Sequence, residues 1–206
     1  LTNNDTITNT DLVRRRWLNN DYFGNFACVD FKKNKLNMNT SIGFTRYDGK
    51  HYGEIIWAKV AQPFGLNKNY YESKSLKQEW NGNIKADYKI LRKLIVFGEF
   101  QLRKIDYSGK GNDNDLKSIS FNQQFTFINP KAGITYNYSS NKSLYASYSI
   151  SNREPVRSDI IDNPKELIPK PEQLKDLELG YIVKNKNTYF QLNGYYMNYK
   201  NQLVLN

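Results

Sequence analysis

The chain of 206 residues carries 30 Lys and Arg against 20 Asp and Glu, a net charge of +10, and 15% of its residues are aromatic. The ring content excludes a disordered chain. The single cysteine, Cys28, excludes a disulfide framework and a cysteine metal site. No apolar run approaches the roughly 18 residues of a membrane-spanning helix, and the opening Leu1-Thr2-Asn3-Asn4-Asp5 is too polar for a signal peptide. Low mean hydropathy with many rings suits strands that are apolar on one face only. The basic residues are scattered, several of them in tight turns, and the one compact cluster is Arg14-Arg15-Arg16. With no aromatic RNA-binding signature and no recognition helix, nucleic acid is not an expected partner.

Period-two alternation predicts about eight strands. The first covers Trp17 to Lys32 and turns at Lys33-Asn34. The second begins at Lys35, with Leu36, Met38, Thr40, Ile42 and Phe44 on one face and Asn37, Asn39, Ser41, Gly43 and Thr45 on the other. A long connection is expected from Tyr47 to Ser73. The third strand, Lys74 to Ile90, alternates Ile84, Ala86, Tyr88 and Ile90 with Asn83, Lys85, Asp87 and Lys89, and turns at Leu91-Arg92. The fourth, Lys93 to Tyr107, sets Val96, Gly98, Phe100 and Leu102 against Glu99, Gln101 and Arg103. A glycine-rich connection, Ser108 to Lys117, leads to the fifth, Ser118 to Tyr138. After the turn Ser139 to Lys142, the sixth runs from Leu144 to Ser151. The stretch Asn152 to Glu172, with Pro155, Pro164, Pro169 and Pro171, reads as the longest non-strand segment. The seventh strand carries Leu177, Leu179, Tyr181 and Val183 against Glu178 and Gly180, and a turn at Lys184 to Asn187 feeds the eighth, from Thr188 onward.

The turns after strands one, three, five and seven are short, and those after two, four and six are long. This parity is the pattern of an outer-membrane barrel, with short periplasmic turns and long extracellular loops. The expected lengths of about ten residues or more suit a tilted membrane strand. A soluble β-sandwich or adhesin-like binding module remains the alternative, and the row Leu36, Met38, Ile42, Phe44, Val96, Phe100, Leu102, Leu177, Leu179, Tyr181 discriminates between them by facing lipid or a core.

From about Asn20 to Asn206 the chain resembles the β-barrel of a TonB-dependent outer-membrane receptor, in a Bacteroidetes-like branch. The residues that carry the resemblance are Phe127-Ile128-Asn129-Pro130-Lys131-Ala132-Gly133, Leu144-Tyr145-Ala146-Ser147-Tyr148-Ser149 and Asn152-Arg153-Glu154-Pro155. They are followed by Pro171-Glu172, Asp176-Leu177-Glu178-Leu179-Gly180-Tyr181 and the run Asn193 to Leu203. The resemblance implies an all-β, antiparallel up-and-down meander, about eight strands of a roughly 22-stranded transmembrane β-barrel. Residues 1–206 would then be a partial barrel, an internal piece of a longer chain lacking the plug domain and the final strands. It further implies the outer membrane of a Gram-negative bacterium, with lipid around the wall and a TonB complex acting through the plug. The implied activity is import of a scarce nutrient, a ferric siderophore, haem or cobalamin. Enzymatic activity and a resident cofactor are not expected. An outer-membrane lipase, the third class, lacks a Ser/His pair, because His51 is the only candidate base.

Binding groups are expected on the long loops, where a rigid scaffold holds them. The candidates are His51, Tyr52, Trp57, Tyr70 and Tyr71 in the first, with Phe64 beside them, and Arg153 and Arg157 in the third. Rings suit a flat chelate and arginines suit its negative charge. For His51 the plain reading is a solvated loop histidine; for Tyr70 and Tyr71 a membrane-interface girdle competes equally, and for Tyr136, Tyr138 and Tyr148 the girdle is preferred. The segment Gly111 to Asp115 resembles an incomplete calcium loop and reads as a polar loop tip. Cys28 is expected as a buried or lipid-facing thiol.

Overall fold

The computed structural model describes residues 10–60, 65–163 and 169–202. Phe64, Pro164 and the run Leu203-Val204-Leu205 lie outside these residues. Eight strands follow one another: β1 (Leu12–Lys33), β2 (Leu36–Ala58), β3 (Asn69–Leu91), β4 (Leu94–Asn112), β5 (Ser118–Tyr136), β6 (Lys142–Arg153), β7 (Glu172–Lys184) and β8 (Tyr189–Lys200). They form one eight-stranded sheet in chain order. A sandwich would divide its strands between two packed sheets, so that alternative is set aside. Among the described residues no helix is long and apolar enough to cross a membrane.

The strands β1 to β4 and β6 are longer than the alternation suggested, whereas β5 ends at Tyr136 and not at Tyr138. The connection expected from Tyr47 to Ser73 is mostly strand, because β2 runs on to Ala58 and β3 starts at Asn69. Gly49, Gly53 and the charges around them read as loop, yet backbone pairing does not need apolar side chains. The glycine-rich segment from Ser108 is likewise strand as far as Asn112. A short helix, α1 (Arg157–Ile161), was not expected. A single turn is too short to show a helical period; it starts where the Val156 N–H donates to the Asp159 carboxylate at 2.8 Å. The β1–β2 turn uses Asn34 at φ 51°, a left-handed conformation that asparagine tolerates.

Contacts divide the chain into two compact units, one drawn from Leu1–Phe23, Arg46–Gln78 and Asp106–Gln123, the other from Gly24–Thr45, Glu79–Ile105 and Gln124–Asn206. Within the second unit the two faces of the sheet differ completely. On the apolar face the register sets Ile134, Ala146, Leu179 and Gly194 in one row across four strands, and Tyr136, Leu144, Tyr181 and Leu192 in the next. Ile42, Phe100 and Leu177 are exposed, as is Leu179 at 57%.

The opposite face carries a ladder of amides. Gln101 donates to Asn81 at 3.2 Å and accepts from Asn129 at 2.8 Å. Asn152 donates to Asn129 at 2.9 Å and accepts from Gln173 at 3.0 Å. Cys28 belongs here too, exposed and accepting from Asn39 at 3.1 Å, not buried or on the apolar side as expected. The same Asn39 amide donates to Asp30 at 2.6 Å. Strand alternation puts Cys28 and Asp30 together with Asn39, and the sulfur follows its neighbours.

The apolar face predicts a sided response to charge. Ile42→Lys should block assembly into the outer membrane, at a cost of about 2–4 kcal/mol. Asn37→Lys, on the other face of the same strand, should assemble normally. Heat-modifiable gel mobility of membrane fractions distinguishes the two; equal behaviour would contradict the assignment of faces.

Candidate ligand-binding site

The predicted site residues are distributed over both units. His51, Tyr52, Trp57, Tyr70 and Tyr71 belong to the first, all of them on β2 or β3 and none on a loop. Arg153 ends β6 and Arg157 begins α1, both in the second unit.

Along β2, period two separates His51 from Tyr52. His51 Nε2 lies 3.2 Å from the Asn20 carboxamide oxygen and 3.4 Å from the Tyr47 hydroxyl, which itself donates to Asn20 at 2.9 Å. On this side Gly53 lies beneath the rings of both Tyr70 and Tyr71, and any side chain at Gly53 would displace them. The two tyrosines meet edge-to-face with ring centroids 5.0 Å apart and form a buried cluster with Ile55. Tyr70 also donates to Asn114 at 2.6 Å, and the Arg14 guanidinium sits 6.0 Å from its ring. A second cation-over-ring pair, Lys77 on Tyr107 at 5.7 Å, is joined by Phe121, edge-on to Tyr107. Tyr70 and Tyr71 therefore form a buried aromatic core in the first unit. Trp57 is exposed near the end of β2.

Tyr52 lies on the other face, stacked on Trp17 at 6.2 Å with the Lys50 ammonium 5.3 Å from its ring. Here Glu54 accepts from Trp17 Nε1 at 3.2 Å and from Arg15 at 3.0 Å. The consecutive arginines thus part company: Arg14 goes to Tyr70 and Arg15 to Glu54. A run that looks like one basic patch in sequence is divided between two faces by the strand. Arg14, Asn20, Tyr47 and Lys77, which contact the candidate residues or stand beside them, were not among the candidates, although β1 alternation places Arg14 and Asn20 on one side.

In the second unit Arg103 organises the segment after β6. It holds Glu79 through two hydrogen bonds of 2.8 and 3.0 Å, reaches Glu154 at 3.3 Å, and lies 5.9 Å from the Phe127 ring. Arg153 is engaged with Glu172 at 3.2 Å across the β6–β7 pair. The Asp113 carboxylate is taken up by the N–H groups of Asp115 and Lys117, at 2.9 and 2.7 Å, which is turn chemistry and leaves a polar loop tip. No cluster of metal-ligating side chains occurs among the described residues.

Residues 2–206 match the family model described as "TonB dependent receptor-like, beta-barrel". The chain belongs to this family. Its members are transport receptors in the outer membrane of Gram-negative bacteria. No curated protein sequence matches the chain. Among solved structures it is similar to the copper transporter OprC, with 12% identity over 87% of this chain and 30% of that one, at a TM-score of 0.70. It is similar to the ferric-catecholate import receptor Fiu of E. coli in its open form, with 15% identity over 89% of this chain and 31% of that one, at 0.64. The ferric yersiniabactin uptake receptor FyuA from Yersinia pestis gives 12% identity over 91% of this chain and 29% of that one, at 0.60. The chain thus spans about 30% of the length of these structures, and at such identities the likeness shows the fold.

Two outcomes follow from these contacts. Glu54 lies well past the 9–11 residues that a strand needs to cross the bilayer, and its bonds from Trp17 and then Arg15 hold its pKa below the usual 4.5. A depressed carboxylate contributes stability that is complete above its unfolded pKa and lost as pH falls through the lower folded value. Acid titration of tryptophan fluorescence should therefore show a transition below pH 4.5 that Glu54→Gln abolishes. Arg103→Met should leave Glu79 and Glu154 without their cation, at a cost of about 3 kcal/mol. Limited proteolysis should then cut between Glu154 and Asn163 faster, by about tenfold or more; an unchanged rate would remove Arg103 from that role.

Proposed function

We propose that this chain is part of the barrel wall of an energised outer-membrane importer, and that its cargo is an anionic ferric chelate. The observation that carries the reading is the surface of Arg14, His51, Tyr70, Tyr71, Lys77 and Tyr107 in the first unit, where two cations stand over tyrosine rings. Cations on rings suit a flat, negatively charged chelate. The printed names of two structural neighbours, import receptors for ferric catecholate and ferric yersiniabactin, point the same way. Haem and cobalamin are the remaining cargoes. In this reading residues 1–206 form a partial barrel, the amide ladder faces the lumen, and a plug domain connects the receptor to TonB. The protein has no catalytic step of its own.

The test is uptake by the source bacterium. Deletion of the full-length gene should abolish uptake of a radiolabelled ferric chelate under iron limitation and leave haem and cobalamin uptake intact. Complementation with Arg14→Gln should restore assembly but weaken apparent affinity by about 3- to 10-fold. Selective loss of haem or cobalamin uptake would instead name that cargo. Normal uptake of every cargo would overturn the importer reading.

A further inference from the structure

The four tight turns form a cationic band. Around the β1–β2, β3–β4, β5–β6 and β7–β8 turns lie Lys32, Lys33, Lys35, Lys89, Arg92, Lys93, Lys142, Lys184 and Lys186, against only two carboxylates, Asp30 and Asp87. All belong to the second unit. The turns are joined to one another by main-chain hydrogen bonds: Lys89 N–H to Lys35 O at 2.9 Å, Asn137 N–H to Lys93 O at 2.7 Å, and Lys184 N–H to Asn141 O at 2.7 Å.

The ion pairs form elsewhere. Arg15, Lys50, Lys59, Lys74, Arg103, Lys131 and Arg153 each meet a carboxylate. Among the described residues none of the turn cations does. Lys93 instead donates to the Tyr138 carbonyl at 3.0 Å. Arg92, Lys93, Lys142 and Lys184 converge on one cavity of about 600 Å³, lined also by Ser139 and Ser140 and by no carboxylate. The band directly borders the apolar face. Lys35 precedes Leu36, Arg92 stands two residues after Ile90, Lys184 follows Val183, and Lys142 stands two residues before Leu144. At the same level Tyr138 stacks on Tyr181 with their hydroxyls 3.0 Å apart, the amphipathic ring pair typical of a headgroup layer.

We propose that this band is a binding site for anionic phospholipid headgroups, with the Arg92–Lys93–Lys142–Lys184 cavity as its centre. The charge complements a phosphate, and the bordering apolar rows explain why the anion carries acyl chains. Cations on short turns cannot move far from the bilayer surface, and each one near an anionic surface contributes about 1 kcal/mol. The inference rests on the membrane reading of the apolar face.

The experiment is native mass spectrometry of the full-length receptor extracted from membranes, exposed to dioleoylphosphatidylglycerol or to dioleoylphosphatidylcholine. Phosphatidylglycerol should be retained about tenfold better, and R92Q/K93Q/K142Q/K184Q should lose that preference. Should the quadruple variant fail to assemble, Lys142→Gln alone, at the half-buried first residue of β6, should lower the preference by about threefold. Equal retention of both lipids, or an unchanged preference in an assembled variant, would overturn the proposal. So would binding of a hexaglutamate peptide with no lipid preference, which would point to an acidic protein partner. Recovery of the wild-type receptor in the aqueous fraction would overturn the membrane reading itself. A membrane-extracted receptor with no lipid preference would overturn only the headgroup site.

Discussion

Pairing of every strand with its neighbours in sequence is the constraint from which the rest follows. In an apolar phase an unpaired N–H or C=O is costly, so a chain that crosses with strands must satisfy them laterally. A sheet in strict chain order does this with local connections. It also fixes the two faces, because each residue's side is decided by parity once the register is set. The apolar rows through Ala146 and Leu179 and the amide ladder through Gln101, Asn129 and Asn152 are the two sides of that single decision.

Glycines adapt the polar side to its rings. Rings lie over Gly49, Gly53, Gly109, Gly133 and Gly180, supplied by Tyr47, Tyr71, Phe121, Phe97 and Tyr145 respectively. Gly82, Gly98 and Gly194, on the alternate parity, have nothing near where a Cβ would stand. A ring that lies flat on a glycine covers the main chain without projecting far from the sheet. Large aromatics can therefore be used where polar groups must remain reachable, as with Tyr70 and Tyr71 beside His51.

Strand existence, order and facing were legible because period two over Leu36 to Phe44 or Leu177 to Val183 has no helical counterpart. Strand ends were not legible, because beyond the apolar belt the alternation loses its apolar member. At Asp48-Gly49-Lys50-His51 polar residues occupy both parities, yet β2 continues through them. The same loss of contrast hid the partners of the candidate residues: Arg14 and Asn20 carry no local signal that sets them beside Tyr70 and His51. The Arg103 anchor depends on contacts far apart in the chain, Glu79 to Arg103 to Glu154, which no local pattern encodes.

The cationic turns have a consequence for assembly. With the tight turns periplasmic, as is the rule for outer-membrane barrels, the chain reaches the bilayer from the periplasm and these turns stay on that side. The lysines and arginines gathered there never have to traverse hydrocarbon. Only the other connections are carried across, and residues 59–68, between β2 and β3, and 113–117, between β4 and β5, are fewer than residues 154–171, between β6 and β7. The kinetic barrier to insertion then falls on the segment between β6 and β7, whose proline-rich stretch and Arg103-bound glutamate must travel through before the wall can continue.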